Sequence, residues 1–129
     1  DWRASGQVAA VDAHIDEDQT FRYSPASGDP MPIHLDEEFA KEMGLPGIIA
    51  HGLCTMAFTS WAVLTELADS DVTRLRRLAV RFAKPVLPGQ DIKTSIFATP
   101  TANTFAFETS VGDELVIKDG LAQISPAAQ

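Results

Sequence analysis

Cysteine is nearly missing from this chain: Cys54 is the only one in 129 residues, so no disulfide can close within it. That usage fits a reducing, intracellular compartment, with the cytoplasm as the expected setting. No apolar run approaches the ~18 to 20 residues of a membrane-spanning helix, and no basic, apolar leader opens the sequence. Basic residues are scarce too. Ten Lys and Arg face eighteen Asp and Glu, a formal charge of −8 at pH 7. A field of that sign repels a phosphate polymer, which excludes nucleic acid as the expected partner. Small anionic ligands stay open, because a local basic cluster can outweigh the global sign. Repeats and low-complexity tracts are absent apart from the short tail SPAAQ, which reads as a frayed end.

What is present is ordinary globular material, 45% hydrophobic and 22% charged. Its length suits one domain, 1–129, with a single core. The chain opens at Asp1 rather than methionine, so a trimmed protein or a segment of something larger is expected.

Periodicity divides the chain in two. QVAAVDAHI (7–15) reads as a strand, and DEDQTFRYSPASGD leads into a loop where Pro25 limits any helix to a short one. Asp36 is placed to cap a helix over DEEFAKEM, with Glu37 and Glu38 at its positive end and Gly44 as the stop. HGLCTMAFTSWAVLTELAD (51–69) is the clearest helix, apolar on every side and therefore expected to be buried all round. Downstream the period becomes two: LAVRFAKPV, IKTSIFAT, NTFAFETSV and ELVIKDGLAQI read as strands, with turns at Pro88–Gln90 and Gly112–Asp113. One long helix with a strand before it and about four after it folds best as an α+β domain, an antiparallel sheet wrapped around a central helix. That wrap is the hot-dog fold. A single copy leaves a sheet edge and much of its groove open, so pairing with a second hot dog is expected.

The stretch SGDPMPIH (27–34) places an acid and an imidazole on a loop stiffened by Pro30 and Pro32. Both prolines fix their own φ, lack a donor and push the preceding residue out of the helical region. Asp29 and His34 are therefore candidates for general acid/base work, although an Asx-turn and a capping histidine have the same local look.

These segments resemble a known family. SGDPMPIH looks like the signature loop of R-specific enoyl-CoA hydratases, the hydratase 2 or MaoC-like dehydratases, whose pattern is S-G-D-x-N-P-[LIV]-H. IIAHGLCTMAF and VRFAKPVLPGQ are similar to that family's helix-opening and strand-turn segments. The likeness is strong from Gln19 to Gln90, and it is closest to the C-terminal hot-dog half of the hydratase region in type 2 multifunctional enzymes. The resemblance implies reversible syn hydration of a trans-2-enoyl-CoA to a (3R)-3-hydroxyacyl-CoA. It implies water held by Asp29 and His34, the thioester oxygen met by the backbone N–H of Gly52, no metal and no organic cofactor, and CoA thioester as substrate. In a eukaryotic cell it implies a peroxisomal location. Bottom-up the chemistry is coherent: two groups on one water can act as base and acid on one face, and a helix N-terminus can stabilise the enolate oxygen.

Two positions depart from the pattern. Met31 stands where the family has Asn, and Ala57 where bacterial single-domain members often carry Ser. Met31, Arg81 and Lys84 are further candidates for substrate contact. Arg74, Arg76, Arg77, Arg81 and Lys84 form a basic cluster that reads either as a solvated strand face or as a clamp for the phosphates of CoA. His34, Asp36 and His51 are a thin donor set for a metal, since Asp36 already has a cap to serve. His51 reads as packing at a helix end, Cys54 as a buried inert thiol, and Phe58 and Trp61 as core, with the wall of an acyl tunnel as the alternative. A hot-dog acyl-CoA thioesterase and a non-catalytic acyl-CoA-binding subunit remain as alternatives.

Overall fold

The structure, a computed structural model, describes Arg3 and residues 6–127. Five strands form one antiparallel sheet: β1 (Gln7–His14), β2 (Leu75–Phe82), β3 (Asp91–Ala98), β4 (Thr104–Val111) and β5 (Glu114–Ile124). Their spatial order is β1-β3-β4-β5-β2, so β1 and β2 are the edges. Among the described residues, the helices that accompany it are α1 (Gln19–Ser27), α2 (Glu37–Glu42) and α3 (Gly52–Leu67).

Alternation builds the sheet. Ile92, Thr94 and Ile96 of β3 turn inward and are buried, while Asp91 and Lys93 face water. The tight connection at Gly112–Asp113 sets the register of β4 on β5, with Val111 opposite Glu114 and Phe107 opposite Gly120. Only glycine fits at position 120: a Cβ there would lie 2.5 Å from the Phe107 carbonyl oxygen and 2.6 Å from its ring. The absence of that side chain lets the fully buried Phe107 ring lie across β5.

α3 packs on β1, β2 and β3. Its C-terminal half supplies Val63, Leu64 and Leu67 to a core with Ile96, Phe107, Ile117, Ala122 and Ile124. Nearer its start, Phe58 packs on a second cluster of Ile15, Ala50, Val86, Ile92 and Val116. This is the hot-dog arrangement expected from the element order.

The expectation of a helix buried on every side is corrected. Leu53 is 66% and Trp61 53% exposed, and Ala57 between them is also open. These residues repeat every four positions, so they form one stripe. Trp61 is thus not core. The sheet curves over one side of α3, and among the described residues nothing covers the other. Among the described residues, no helix is long and apolar enough to cross a membrane.

Candidate active site

The acid-bearing loop begins where α1 is made to stop. Pro25 inside α1 contributes no N–H, and Gly28 closes the helix at φ 73°, a conformation that favours glycine. The Gly28 and Asp29 N–H groups both return to the Ser24 carbonyl, at 3.0 and 3.2 Å. Ser24 Oγ in turn donates to the Asp29 carbonyl at 2.8 Å. Met31 N–H donates to Asp29 Oδ1 at 3.2 Å, so the Asx-turn is real and coexists with a free Oδ2. A single 3-10 turn, Pro32–His34, then carries the imidazole inward. Asp36 caps α2 as expected, accepting from the Phe39 N–H at 3.1 Å.

His34 is only 6% exposed. Its Nδ1 lies 2.7 Å from the Ile49 carbonyl oxygen, which can only accept, so the hydrogen sits on Nδ1. That contact leaves Nε2 as the ring nitrogen available to a ligand. His51, 2% exposed, points Nε2–H at the Asp29 carbonyl, 3.1 Å away. The two imidazoles stack, ring centroids 3.8 Å apart at 20°, and Tyr23 tilts against His51 at 4.8 Å. Burial pushes the Tyr23 hydroxyl pKa up, with nearby Cys54 and Asp29 adding to it, so the phenol is neutral.

One ligand atom each from Asp29, His34 and His51 lies within 4.8 Å of the others. Two groups that share one water, each about 2.8 Å from its oxygen at a tetrahedral angle, stand about 4.6 Å apart. The ligand atoms of Asp29 and His34 fall within that 4.8 Å limit, close enough to share one water. The donor set is therefore Asp29, His34 and His51, and Asp36 is not part of it. Nearly parallel imidazole planes do not aim their lone pairs at one point, which makes the set a poor chelate.

A cavity of about 290 Å³ has His34, Gly52, Thr55, Phe82 and Lys84 in its walls. A second, of about 260 Å³, is lined by Tyr23, Asp29, His51, Gly52 and Phe82. Gly52 and Phe82 belong to both, so the two hollows meet at the N-terminus of α3. There the Gly52 N–H has no helical partner. A methyl on Gly52 would touch the Phe82 ring at 3.4 Å, filling the space a ligand needs to reach the backbone. Tyr23 also borders a third hollow of about 540 Å³, lined by Ala13, Cys54, Ala57, Phe58 and Trp61.

Of the residues singled out in the sequence, Asp29, His34 and Gly52 come together, and Lys84 borders the His34 cavity. Lys84 is also paired with Glu114 at 3.2 Å. Arg81 is not in that wall; it pairs with Asp119 at 3.2 Å in solvent. Arg74 is engaged by Asp69 and by the Ser125 carbonyl, which leaves Arg76 and Arg77 as the exposed, unpaired cations of the basic cluster. The Met31 side chain is 52% exposed. Cys54 is buried, and burial pushes its thiol pKa up, as an inert thiol requires. Sequence reasoning missed His51 and Tyr23 as members of the site. The histidine directly before Gly52 was the available signal for the first.

A family model described as MaoC like domain matches residues 4–118. The mouse peroxisomal multifunctional enzyme type 2 is 40% identical over 104 residues, 79% of this chain and 14% of that protein. A probable enoyl-CoA hydratase 2 from Dictyostelium discoideum is 39% identical over 111 residues, 85% of this chain and 38% of that protein. The full-length Drosophila melanogaster multifunctional enzyme type 2 structure superposes with a TM-score of 0.86 at 32% identity, covering 93% of this chain and 22% of that one. The chain thus spans well under half the length of each of these three relatives.

Proposed function

The chain belongs to the MaoC-like domain family, and from that premise we propose that it hydrates trans-2-enoyl-CoA thioesters reversibly, giving (3R)-3-hydroxyacyl-CoA. The observation that carries the reading is the convergence of Asp29 and His34, whose ligand atoms lie within 4.8 Å of one another, close enough to share one water beside a helix N-terminus.

Water held between Asp29 Oδ2 and His34 Nε2 attacks the β-carbon of the alkene as its O–H bond breaks. One of the pair accepts that proton, and a proton is delivered to the α-carbon on the same face, so H and OH add syn. During attack, negative charge moves to the thioester oxygen. The free N–H of Gly52 and the positive end of α3 oppose that charge; such a donor is worth about 3 to 4 kcal/mol. The electrons needed are those of the alkene and water, so the step requires no redox group. A pair on one face of a thioester anchored at Gly52 gives a single enantiomer, which the resemblance to R-specific hydratases makes (R).

The open stripe Leu53–Ala57–Trp61 supports pairing with a second hot dog, either another copy or a separate subunit. Lys84, at the rim of the His34 cavity, is the cation best placed for the CoA phosphates. Consumption of an enoyl-CoA, read by absorbance and by chiral analysis of the product, tests the proposal.

A further inference from the structure

We propose that His51 is a positioning residue that locks the acid/base loop to the helix carrying the oxyanion donor; this rests on the hydratase reading. The peptide joining Asp29 to Pro30 has no N–H, because its nitrogen is proline's. The Asp29 carbonyl is therefore the only hydrogen-bonding group of that plane. Two donors hold it: Ser24 Oγ from α1 at 2.8 Å and His51 Nε2 from the start of α3 at 3.1 Å. Fixing that plane fixes the direction in which the Asp29 side chain leaves the backbone.

The same ring restrains the other partner. His51 lies over His34 at 3.8 Å, nearly parallel, so the His34 ring cannot swing about its own axis without striking it. His34 Nδ1 is already tied to the carbonyl of Ile49, two residues before His51. His51 occupies the N-cap position of α3, yet its side chain caps nothing in that helix; it reaches back 22 residues instead. Its Nδ1 is buried without a hydrogen-bond partner, so the ring is placed by the Asp29 contact, the His34 stack and the tilted Tyr23 ring. One residue thus sets carboxylate, imidazole and the Gly52 N–H in a common frame. Displacements of that order affect rate far more than binding.

Two variants separate hydrogen bonding from packing. His51→Phe keeps a ring against His34 and loses the donor; His51→Gln loses the ring and keeps an N–H near the position of Nε2. The expected result is a kcat at least 30-fold lower in His51→Phe with KM within threefold of the unmodified protein. His51→Gln should recover kcat to within about fivefold. Hydrogen exchange of the Met31 amide, which reads the turn at Asp29 directly, should quicken in His51→Phe and not in His51→Gln. A His51→Phe protein with unchanged kcat and exchange overturns the inference, as does a His51→Gln protein as impaired as His51→Phe. Should the unmodified protein hydrate no enoyl-CoA, the hydratase reading fails, and the Met31 exchange arm alone decides the role of His51.

Discussion

Asp29 and Met31 are joined by a hydrogen bond from backbone to carboxylate: the Met31 N–H donates to Asp29 Oδ1 at 3.2 Å, while the Met31 side chain is half exposed. The residue that breaks the family pattern therefore serves the loop through its backbone, which any non-proline residue supplies. Met31→Asn is expected to change kcat/KM by less than tenfold. Asp29→Asn keeps the turn acceptor and removes the charge, and should lower kcat about 10²- to 10⁴-fold. Steady-state kinetics on both variants check the contrast, with thermal unfolding to confirm that each is folded.

Gly52 carries a separate prediction. Its Cβ position is in ordinary contact with Phe82, so Gly52→Ala should fold normally while crowding the approach to the N–H. A kcat loss of about 10²- to 10³-fold is expected, the size seen when one oxyanion donor is removed. A fully active Gly52→Ala protein contradicts the assignment of that N–H.

Much of this architecture is legible in local sequence, and what is not has a physical reason. Asp36 was readable as a cap because its partner, Phe39, lies three residues away. The alternation in Ile92–Thr94–Ile96 and the length of the apolar run in α3 are equally local signals, and the elements they foretell are found within about two residues. His51 and Asp29 meet across 22 residues, and no periodicity encodes such a contact. The exposed stripe escaped for another reason. Hydrophobicity says which surfaces would gain from cover, and α3 is apolar all round, but a curved sheet covers only one side of it. The basic cluster likewise reads as one patch in sequence, whereas the acids Asp69, Glu114 and Asp119 take up three of its members.

That stripe leads to a prediction about assembly. A native mass above the 13.9 kDa of one chain is expected at micromolar concentration. Trp61→Glu, which would bury a charge in the joint, should shift the protein to single copies and reduce hydration activity. A fully active species at the mass of one chain contradicts the pairing.

His14 gives a pH prediction. Its hydrogen bond to Asp91, 2.6 Å, raises its pKa from the ordinary 6.5. A raised folded value means that the stabilisation is complete below pH 6.5 and fades as pH rises through the folded value. His14→Gln should therefore lower Tm at acidic pH and leave it unchanged at alkaline pH. The pair is exposed, so the difference should be small and shrink in high salt. Thermal melts across pH and ionic strength check it; a Tm deficit that grows toward alkaline pH contradicts the pairing.

The most direct measurement follows a short trans-2-enoyl-CoA by loss of its enoyl absorbance, with free thiol assayed in the same vessel and the product resolved by chirality. Water held by Asp29 and His34 requires absorbance loss without thiol release, a (3R)-3-hydroxyacyl-CoA product, and a rate reduced at least 100-fold in Asp29→Asn and in His34→Ala. Thiol release in place of hydration, or hydration undiminished in both variants, would contradict it.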